Sequence, residues 1–189
     1  MDKLHITIHT KGKLAGIESL NTSSRKNGFC QLMAMKQKNI CSHCYSSRLT
    51  GIRPQLEKRL VENLYMLSEY PLKVMPKINS LYFRFHSFGE LANINHYMNF
   101  LDICKANPQV IFSLITKRRG IIKCFASTPQ NLVLTYGYKE LNTPTQGIPP
   151  LFDNSYAAYS DGPPCGEKCL ECLKCYDKIG RHNIRQKIH

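Results

Sequence analysis

The feature that most constrains the fold is a regular alternation of short apolar strands with amphipathic helices through the middle of the chain. Residues 81–86, 110–116 and 131–136 are short and rich in aromatic and β-branched side chains, which predicts strands. Helical spacing of apolar residues predicts helices at 55–67 and 93–106. Strands joined by helices in this way form a parallel sheet with right-handed crossovers. The sequence therefore predicts an α/β fold, either a partial, TIM-like parallel barrel or an open, doubly wound sheet.

The regions on either side of this core are less regular. Residues 4–9 alternate in polarity and predict a strand followed by irregular chain, and 120–126 predicts a short helix. The Pro- and Gly-rich stretch 142–164 predicts a long loop, interrupted by a strand at 155–159. We expect a single domain over 1–189, divided into an irregular Cys-containing segment at 1–52, a β/α core at 53–141, and a loop with a Cys-rich segment at 142–189.

Composition excludes several classes of protein. A hydrophobic fraction of 42% argues against disorder, and no uncharged apolar run approaches the roughly 18 residues that a bilayer span requires. The N-terminal residues have no apolar signal region, so we expect a cytoplasmic protein without a membrane segment. Its oligomeric state is not indicated by the sequence.

Nine cysteines are the main chemical signal, because thiols in a reducing compartment persist as metal ligands, nucleophiles or buried apolar groups. Cys104 and Cys124 stand alone, and we expect them to be packing residues. The C-terminal run has the spacing C-x3-C-x2-C-x2-C. Overlapping C-x2-C pairs favour an iron–sulfur cluster of the 4Fe–4S type, with zinc as the alternative. The four thiols of this run are Cys165, Cys169, Cys172 and Cys175.

A second group of cysteines lies near the N-terminus, at Cys30, Cys41 and Cys44, with His43 between the last two. Seven candidate thiols exceed one four-thiolate cluster and fall one short of two. They therefore fit either one shared cluster with spare thiols or two clusters, one of them with an open or non-Cys ligand. We expect both Cys-rich segments to gather at one metal centre. The favoured cofactor ligands are Cys41, Cys44, Cys169, Cys172 and Cys175.

Charged residues at the ends of two predicted strands are the candidate catalytic groups. Arg84, His86 and Glu90 lie at or after the end of one strand, and Lys117 follows the next. Ligands of parallel α/β folds bind at the carboxyl ends of the strands. The alternatives are a structural bridge between Arg84 and a carboxylate, and an anion or substrate pocket lined by these side chains. The sequence does not decide whether the protein is an enzyme.

The chain is strongly basic, with 26 Lys and Arg against 13 Asp and Glu and a formal net charge of +13. A positive field attracts polyanions, so nucleic acid or an acidic host protein is a possible partner, with a solvated basic face as the alternative. The candidate nucleic-acid contacts are Lys117, Arg118, Arg119, Arg181 and Arg185.

Several short motifs, in this order, resemble those of the bacteriophage gene-product 88 family. They are the element Cys41-Ser42-His43-Cys44-Tyr45, the helix end Arg59-x3-Asn63, the strand end 84–90, the segment 97–112 with its Asn107-Pro108 break, the segment 114–117, and the terminal Cys-rich run. The resemblance covers most of 11–176. It implies a phage protein that acts in the cytoplasm of a bacterial host.

The Cys-x2-Cys-Tyr element also resembles, distantly, the cluster motif of radical S-adenosylmethionine enzymes, which implies a partial barrel. Ten residues separate Cys30 from Cys41 where those enzymes have three, so S-adenosylmethionine is an unlikely cofactor by this comparison. The overall hypothesis is that the chain binds an iron–sulfur cluster, which has a structural or redox role or serves a radical or redox enzyme. The alternative is a zinc-stapled, basic nucleic-acid-binding module.

Overall fold

The centre of the structure is one seven-stranded sheet with helices on one face. The computed structural model describes residues 3–143, 147–160 and 168–187. The strands are β1 Ile6–Ile8, β2 Glu18–Leu20, β3 Tyr82–Phe85, β4 Ile111–Thr116, β5 Leu132–Gly137, β6 Asn154–Tyr159 and β7 Asn183–Lys187. The α-helices of the described residues are α1 Gly28–Ala34, α2 Tyr45–Gly51, α3 Pro54–Glu69, α4 Ile94–Ala106, α5 Arg119–Ile122 and α6 Cys169–Cys172, with 3₁₀ turns at Ile40–His43 and Lys174–Tyr176.

Each strand of the sheet pairs with its successor in the chain. β1 is antiparallel to β2, and β2 to β7 are all parallel. A doubly wound sheet requires a reversal of strand order, and this sheet has none. The order is that of a barrel wall, but β1 and β7 are edges and the sheet stays open. The α/β prediction is confirmed, and the sheet is open, which is one of its predicted forms, but it does not have the doubly wound order.

The core lies between the sheet and the long helices α3 and α4. Phe85 of β3 stacks on Phe100 of α4, with ring centroids 3.9 Å apart, and on Phe112 of β4, at 5.2 Å. The helix α3 starts at Pro54, whose fixed φ suits a first helical turn. Its residues Leu60, Leu64 and Leu67 are buried at the predicted helical spacing.

The opposite face of the sheet is covered by the C-terminal segment. Because side chains alternate along a strand, Tyr82 and Arg84 point away from the helices, where Tyr82 meets Tyr176 with ring centroids 5.2 Å apart. The side-chain amide of Asn154 donates to the carbonyls of Lys174 and Asp177, at 3.3 and 2.9 Å. These bonds hold the 3₁₀ turn at Lys174–Tyr176 on the face of the sheet opposite α3 and α4. This face is called the helix-free face, because neither long helix lies on it.

Some elements differ from the sequence-based expectation. β2, β7, α1 and α2 were not predicted, and the helix expected at 120–126 ends at Ile122. None of the described helices is long and apolar enough to cross a bilayer.

Candidate functional site

Three cysteines of the N-terminal group, here called the edge thiols (Cys30, Cys41 and Cys44), lie in the segment that follows the carboxyl end of β2. Cys30 is on α1, Cys41 is on the first 3₁₀ turn, and Cys44 is the N-cap of α2. All three are free thiols and half-buried.

Two asparagines fix the edge thiols in place. The side chain of Asn27 caps α1 by accepting from the backbone N–H of Phe29 and Cys30, at 3.0 and 3.4 Å. Its amide donates to the carbonyl of Glu90 at 2.8 Å. Asn39 accepts from the N–H of Cys41 at 3.0 Å. Because N-cap oxygens satisfy donors that a helix leaves unpaired, these contacts set where each cysteine begins its turn.

The edge thiols act on one another electrostatically and so form one group. Burial raises the pKa of the Cys30 thiol, and Glu90, Cys41 and Cys44 add to that effect while Lys117 opposes it. Burial also raises the pKa of Cys41, with Lys117 opposing and Cys44 adding. A positive charge close to Cys30 and Cys41 favours the thiolate, which is the form that binds metal.

Lys117 and Glu90, two of the predicted catalytic candidates, are joined beside this group. Glu90 is 2% exposed and accepts from the Thr116 hydroxyl at 2.6 Å and from the Lys117 backbone N–H at 2.9 Å. The Lys117 ammonium lies 3.8 Å from the same carboxylate. Burial works to lower the pKa of Lys117, but Glu90, Cys41 and Cys30 outweigh it and the pKa is raised. The lysine therefore stays charged and faces the thiols.

His86 has unusual geometry for a buried residue. Its φ is +61°, in the left-handed region that non-Gly residues rarely adopt, and it is 5% exposed. Its ring lies 5.1 Å from that of His96, and within the described residues neither of its ring nitrogens has a hydrogen-bond partner. Burial lowers the pKa of His86, and the nearby His96, Lys117 and Arg84 lower it further. The imidazole is therefore neutral, and it lies within electrostatic reach of two half-buried cations, Lys117 and Arg84.

Arg84 faces the other cysteine-rich segment. Burial works to lower the pKa of Arg84, but Cys175, Tyr176 and Cys169 outweigh it and raise that pKa. Burial raises the pKa of Tyr176, and Arg84 opposes that shift. Arg84 thus supplies a positive charge on the helix-free face of the sheet, next to C-terminal cysteines.

The C-terminal thiols, Cys169, Cys172 and Cys175, lie on a compact turn. α6 ends at Leu173, whose φ of +51° reverses the chain before Cys175, and the N–H of Leu173 donates to the carbonyl of Cys169 at 3.0 Å. The N–H of Cys169 donates to the carbonyl of Lys13, at 2.8 Å, in the loop that leads into β2. Cys165 lies outside the described residues.

The two thiol groups are held by different parts of the chain. Cys169 contacts the loop before β2, whereas the edge thiols belong to the segment after it. In the described part of the chain, no three His, Cys, Asp or Glu side chains are grouped so that they could hold a single metal ion. The expected gathering of both segments at one metal centre is therefore not shown by the described residues, which do not include Cys165.

The remaining predicted residues are dispersed. Cys104 is buried as expected, but Cys124 is exposed, because α5 ends before it and no element covers it. His43 is also exposed. The nucleic-acid candidates separate into Lys117, Arg118 and Arg119 at the carboxyl edge of the sheet, Arg181 just before β7, and Arg185 on β7, whose guanidinium lies 5.8 Å from the Tyr159 ring.

Sequence analysis did not single out Lys139, which follows β5 at the same edge. Lys139 opposes the rise in the pKa of Cys41, and its carbonyl accepts from the N–H of Ile40 at 2.8 Å. Its position two residues beyond a parallel strand is the same signal that identified Lys117. Asn27 was also missed, because an asparagine followed by a glycine predicts a turn or loop and does not by itself indicate a helix cap.

The chain was compared with known proteins. The family model described as Gene product 88 matches residues 6–171. No curated protein and no solved structure gives a significant match.

Proposed function

Since the chain belongs to the gene product 88 family of phage proteins, we propose that it binds an iron–sulfur cluster of the 4Fe–4S type on the edge thiols and that this cluster has a redox role. The observation that carries the proposal is the grouping of Cys30, Cys41 and Cys44 beside Lys117 at the carboxyl edge of a parallel sheet. That edge is where α/β folds of this kind bind their ligands.

The chemistry of the donor set favours a cluster over zinc. Zinc in structural sites requires four ligands that converge on one ion. The thiolates of a 4Fe–4S cluster each bind a different iron atom and need not converge on one ion, so three half-buried thiols in one segment suit it better than they suit zinc. The positive charge of Lys117 and Lys139 offsets the negative charge that thiolates and cluster bring to the edge.

Three thiolates leave one iron of such a cluster without a cysteine, and the residues around that position suit a bound ligand. The Lys117 ammonium, held by Glu90, is placed to attract an anionic group. The neutral imidazole of His86 has two unpartnered ring nitrogens, one to accept and one to donate a proton. These features support redox chemistry on a bound molecule, in preference to a purely structural staple.

The C-terminal thiols form, in this proposal, a second and separate metal centre together with Cys165. Their C-x2-C-x2-C spacing and the left-handed turn at Leu173 suit thiolates that turn toward one centre, and Arg84 supplies a neighbouring positive charge. These same thiols are the basis of the second candidate function, a zinc-stapled module in which the metal only holds the chain.

Metal analysis of protein purified without oxygen tests the proposal. We expect a brown protein that absorbs near ~400 nm and contains iron and acid-labile sulfide, with about four iron atoms per cluster. Cys41→Ser should lose most of the edge-thiol iron, whereas Cys124→Ser, which changes an exposed thiol outside both groups, should keep all of it. Colourless protein with stoichiometric zinc would establish the second candidate.

A further inference from the structure

Two long stretches of the sequence contain no carboxylate. Residues 19–56 include six cations, at positions 25, 26, 36, 38, 48 and 53, and no Asp or Glu. Residues 103–139 include six more, at positions 105, 117, 118, 119, 123 and 139, again without Asp or Glu. In a chain with 13 acidic residues, this leaves two segments of unbalanced positive charge.

The fold brings these two stretches together around the edge thiols. The N–H of Leu141 donates to the carbonyl of Lys38, at 3.0 Å, so the chain around Lys139 runs beside the first stretch. The guanidinium of Arg118 lies 4.6 Å from the centre of the Phe29 ring, and the Lys139 ammonium lies 5.9 Å from it. The basic collar, defined as Lys36, Lys38, Arg118 and Lys139, thus spans both stretches.

Among the residues that the structure describes, few acidic groups weaken this charge. Glu90 is buried, and its carboxylate already accepts from the Thr116 hydroxyl and pairs with the Lys117 ammonium. Glu140, next to Lys139, is the exposed carboxylate closest in sequence to the collar. Lys36, Lys38 and Lys139 are all exposed, so the surface keeps a net positive charge that solvent and ligands can reach.

An aromatic side chain lies beside the same surface. Tyr45 directly follows Cys44, is 49% exposed, and rests against the ring of Phe88 at 5.9 Å. An exposed aromatic ring is a platform on which an unpaired base stacks, and a groove of cations tracks the phosphates between successive bases. A duplex keeps its bases inside and does not use such a platform.

From this arrangement we propose that the carboxyl edge binds a single-stranded nucleic acid, whose phosphates contact the basic collar and whose bases stack on Tyr45. This inference goes beyond the proposed redox role, and it stands on charge and exposure independently of any metal.

Fluorescence anisotropy with a labelled 20-nucleotide oligo-dT and the full-length, metal-loaded protein tests this proposal. We expect binding that weakens steeply with salt. The double variant Lys36→Glu/Lys38→Glu should bind at least about tenfold more weakly and show a smaller salt slope, by roughly 0.7 for each phosphate contact that is lost. Tyr45→Ala should bind about fivefold more weakly or worse, in keeping with the loss of one stacked base.

Matched controls separate this surface from general basicity. Lys73→Glu/Lys77→Glu makes the same charge change at two exposed lysines before β3, and Tyr70→Ala removes another exposed tyrosine; both should bind within about twofold of wild type. Iron content is measured on every sample, so loss of the cluster is distinguished from loss of the binding surface.

Four outcomes would overturn the proposal. These are no binding at low salt, equal weakening by the two lysine pairs, tighter binding to a duplex of the same length, and displacement of the oligonucleotide by poly-glutamate at matched charge. The last result would assign the edge to an acidic protein.

Discussion

Asn27 links two parts of the candidate site through a single buried side chain. Its oxygen caps α1, which carries Cys30, and its amide donates to the carbonyl of Glu90, whose carboxylate holds Lys117. Because an unpaired buried carbonyl is costly, loss of this side chain affects both the helix and the loop after β3. The residue therefore positions the thiols without touching a metal.

We predict that Asn27→Ala lowers the free energy of unfolding by about 1–3 kcal/mol, from one lost cap and one lost buried hydrogen bond. It should also lower the iron content of the protein. Asn93→Ala is the matched control, since Asn93 caps α4 by accepting from the N–H of His96 at 3.0 Å, far along the chain from the thiols. Urea unfolding and iron analysis are the measurements. Equal iron contents in the two variants would contradict the positioning role.

His96 makes folding sensitive to acid. Burial lowers its pKa from 6.5 to about 3. Below pH 6.5 this imidazole is therefore protonated in the unfolded chain but stays neutral in the folded protein until the pH approaches 3. This contribution to stability is complete above pH 6.5 and declines as the pH falls toward 3. Between pH 6.5 and 4.5 the loss is about 2–3 kcal/mol.

The variant His96→Asn keeps an acceptor for the N–H of Ala92, which lies 3.2 Å from the His96 Nδ1 atom. We expect it to be less stable than wild type at pH 7 but to lose about 2 kcal/mol less on acidification to pH 4.5. Urea unfolding at both pH values measures this difference, with His43→Asn as an exposed control. An unchanged pH dependence in His96→Asn would show that the buried ring is not responsible.

At the scale of elements, the thiol-bearing segment has little packing of its own. Neither α1 nor the 3₁₀ turn at Ile40–His43 has a buried residue, and Leu32 and Met35 are 62% and 79% exposed. Helices this short gain most of their stability from packing. The metal binding proposed above would therefore add more to local stability in this segment than in a well-packed one.

We predict that hydrogen exchange in residues 28–44 slows by at least about tenfold when the cluster is reconstituted into metal-free protein, because ligation replaces the missing packing. Exchange in α4, whose residues such as Tyr97 and Phe100 are fully buried, should be nearly unchanged. Equal protection of 28–44 with and without metal would mean that the segment does not carry the ligands.

Elements with a clear apolar pattern were predictable from the sequence, and polar strands were not. β3, β4 and β5 are aromatic or β-branched and were found within a residue or two of their bounds. β2 was missed because Glu18 interrupts its pattern, yet Glu18 is 8% exposed and accepts from the N–H groups of Asn79 and Ser80. β7, with the sequence NIRQK, is a polar edge strand whose pairing partner is set by tertiary structure.

In the molecule as a whole, the parallel order of the strands and the candidate site residues were predictable from the sequence. The position of the C-terminal cysteines in the fold was not. The carboxyl ends of parallel strands can be predicted because they depend only on strand direction. Lys117 and Glu90, which were singled out for that reason, lie 3.8 Å apart. Strand direction does not predict the position of Cys169 and Cys175, since that position depends on how the chain returns across the helix-free face to β7. The single metal centre that the cysteine pattern predicts is not shown among the described residues.

Iron and sulfide analysis of two triple variants distinguishes a cluster bound by the edge thiols from one that is shared with the C-terminal thiols. With Cys30→Ser/Cys41→Ser/Cys44→Ser, the account predicts loss of the edge cluster and its absorption near ~400 nm. With Cys169→Ser/Cys172→Ser/Cys175→Ser, it predicts that about four iron and four sulfide per chain remain in the folded protein. Full iron content in the first variant, or complete loss of iron from a folded second variant, would contradict the account and restore a single shared centre.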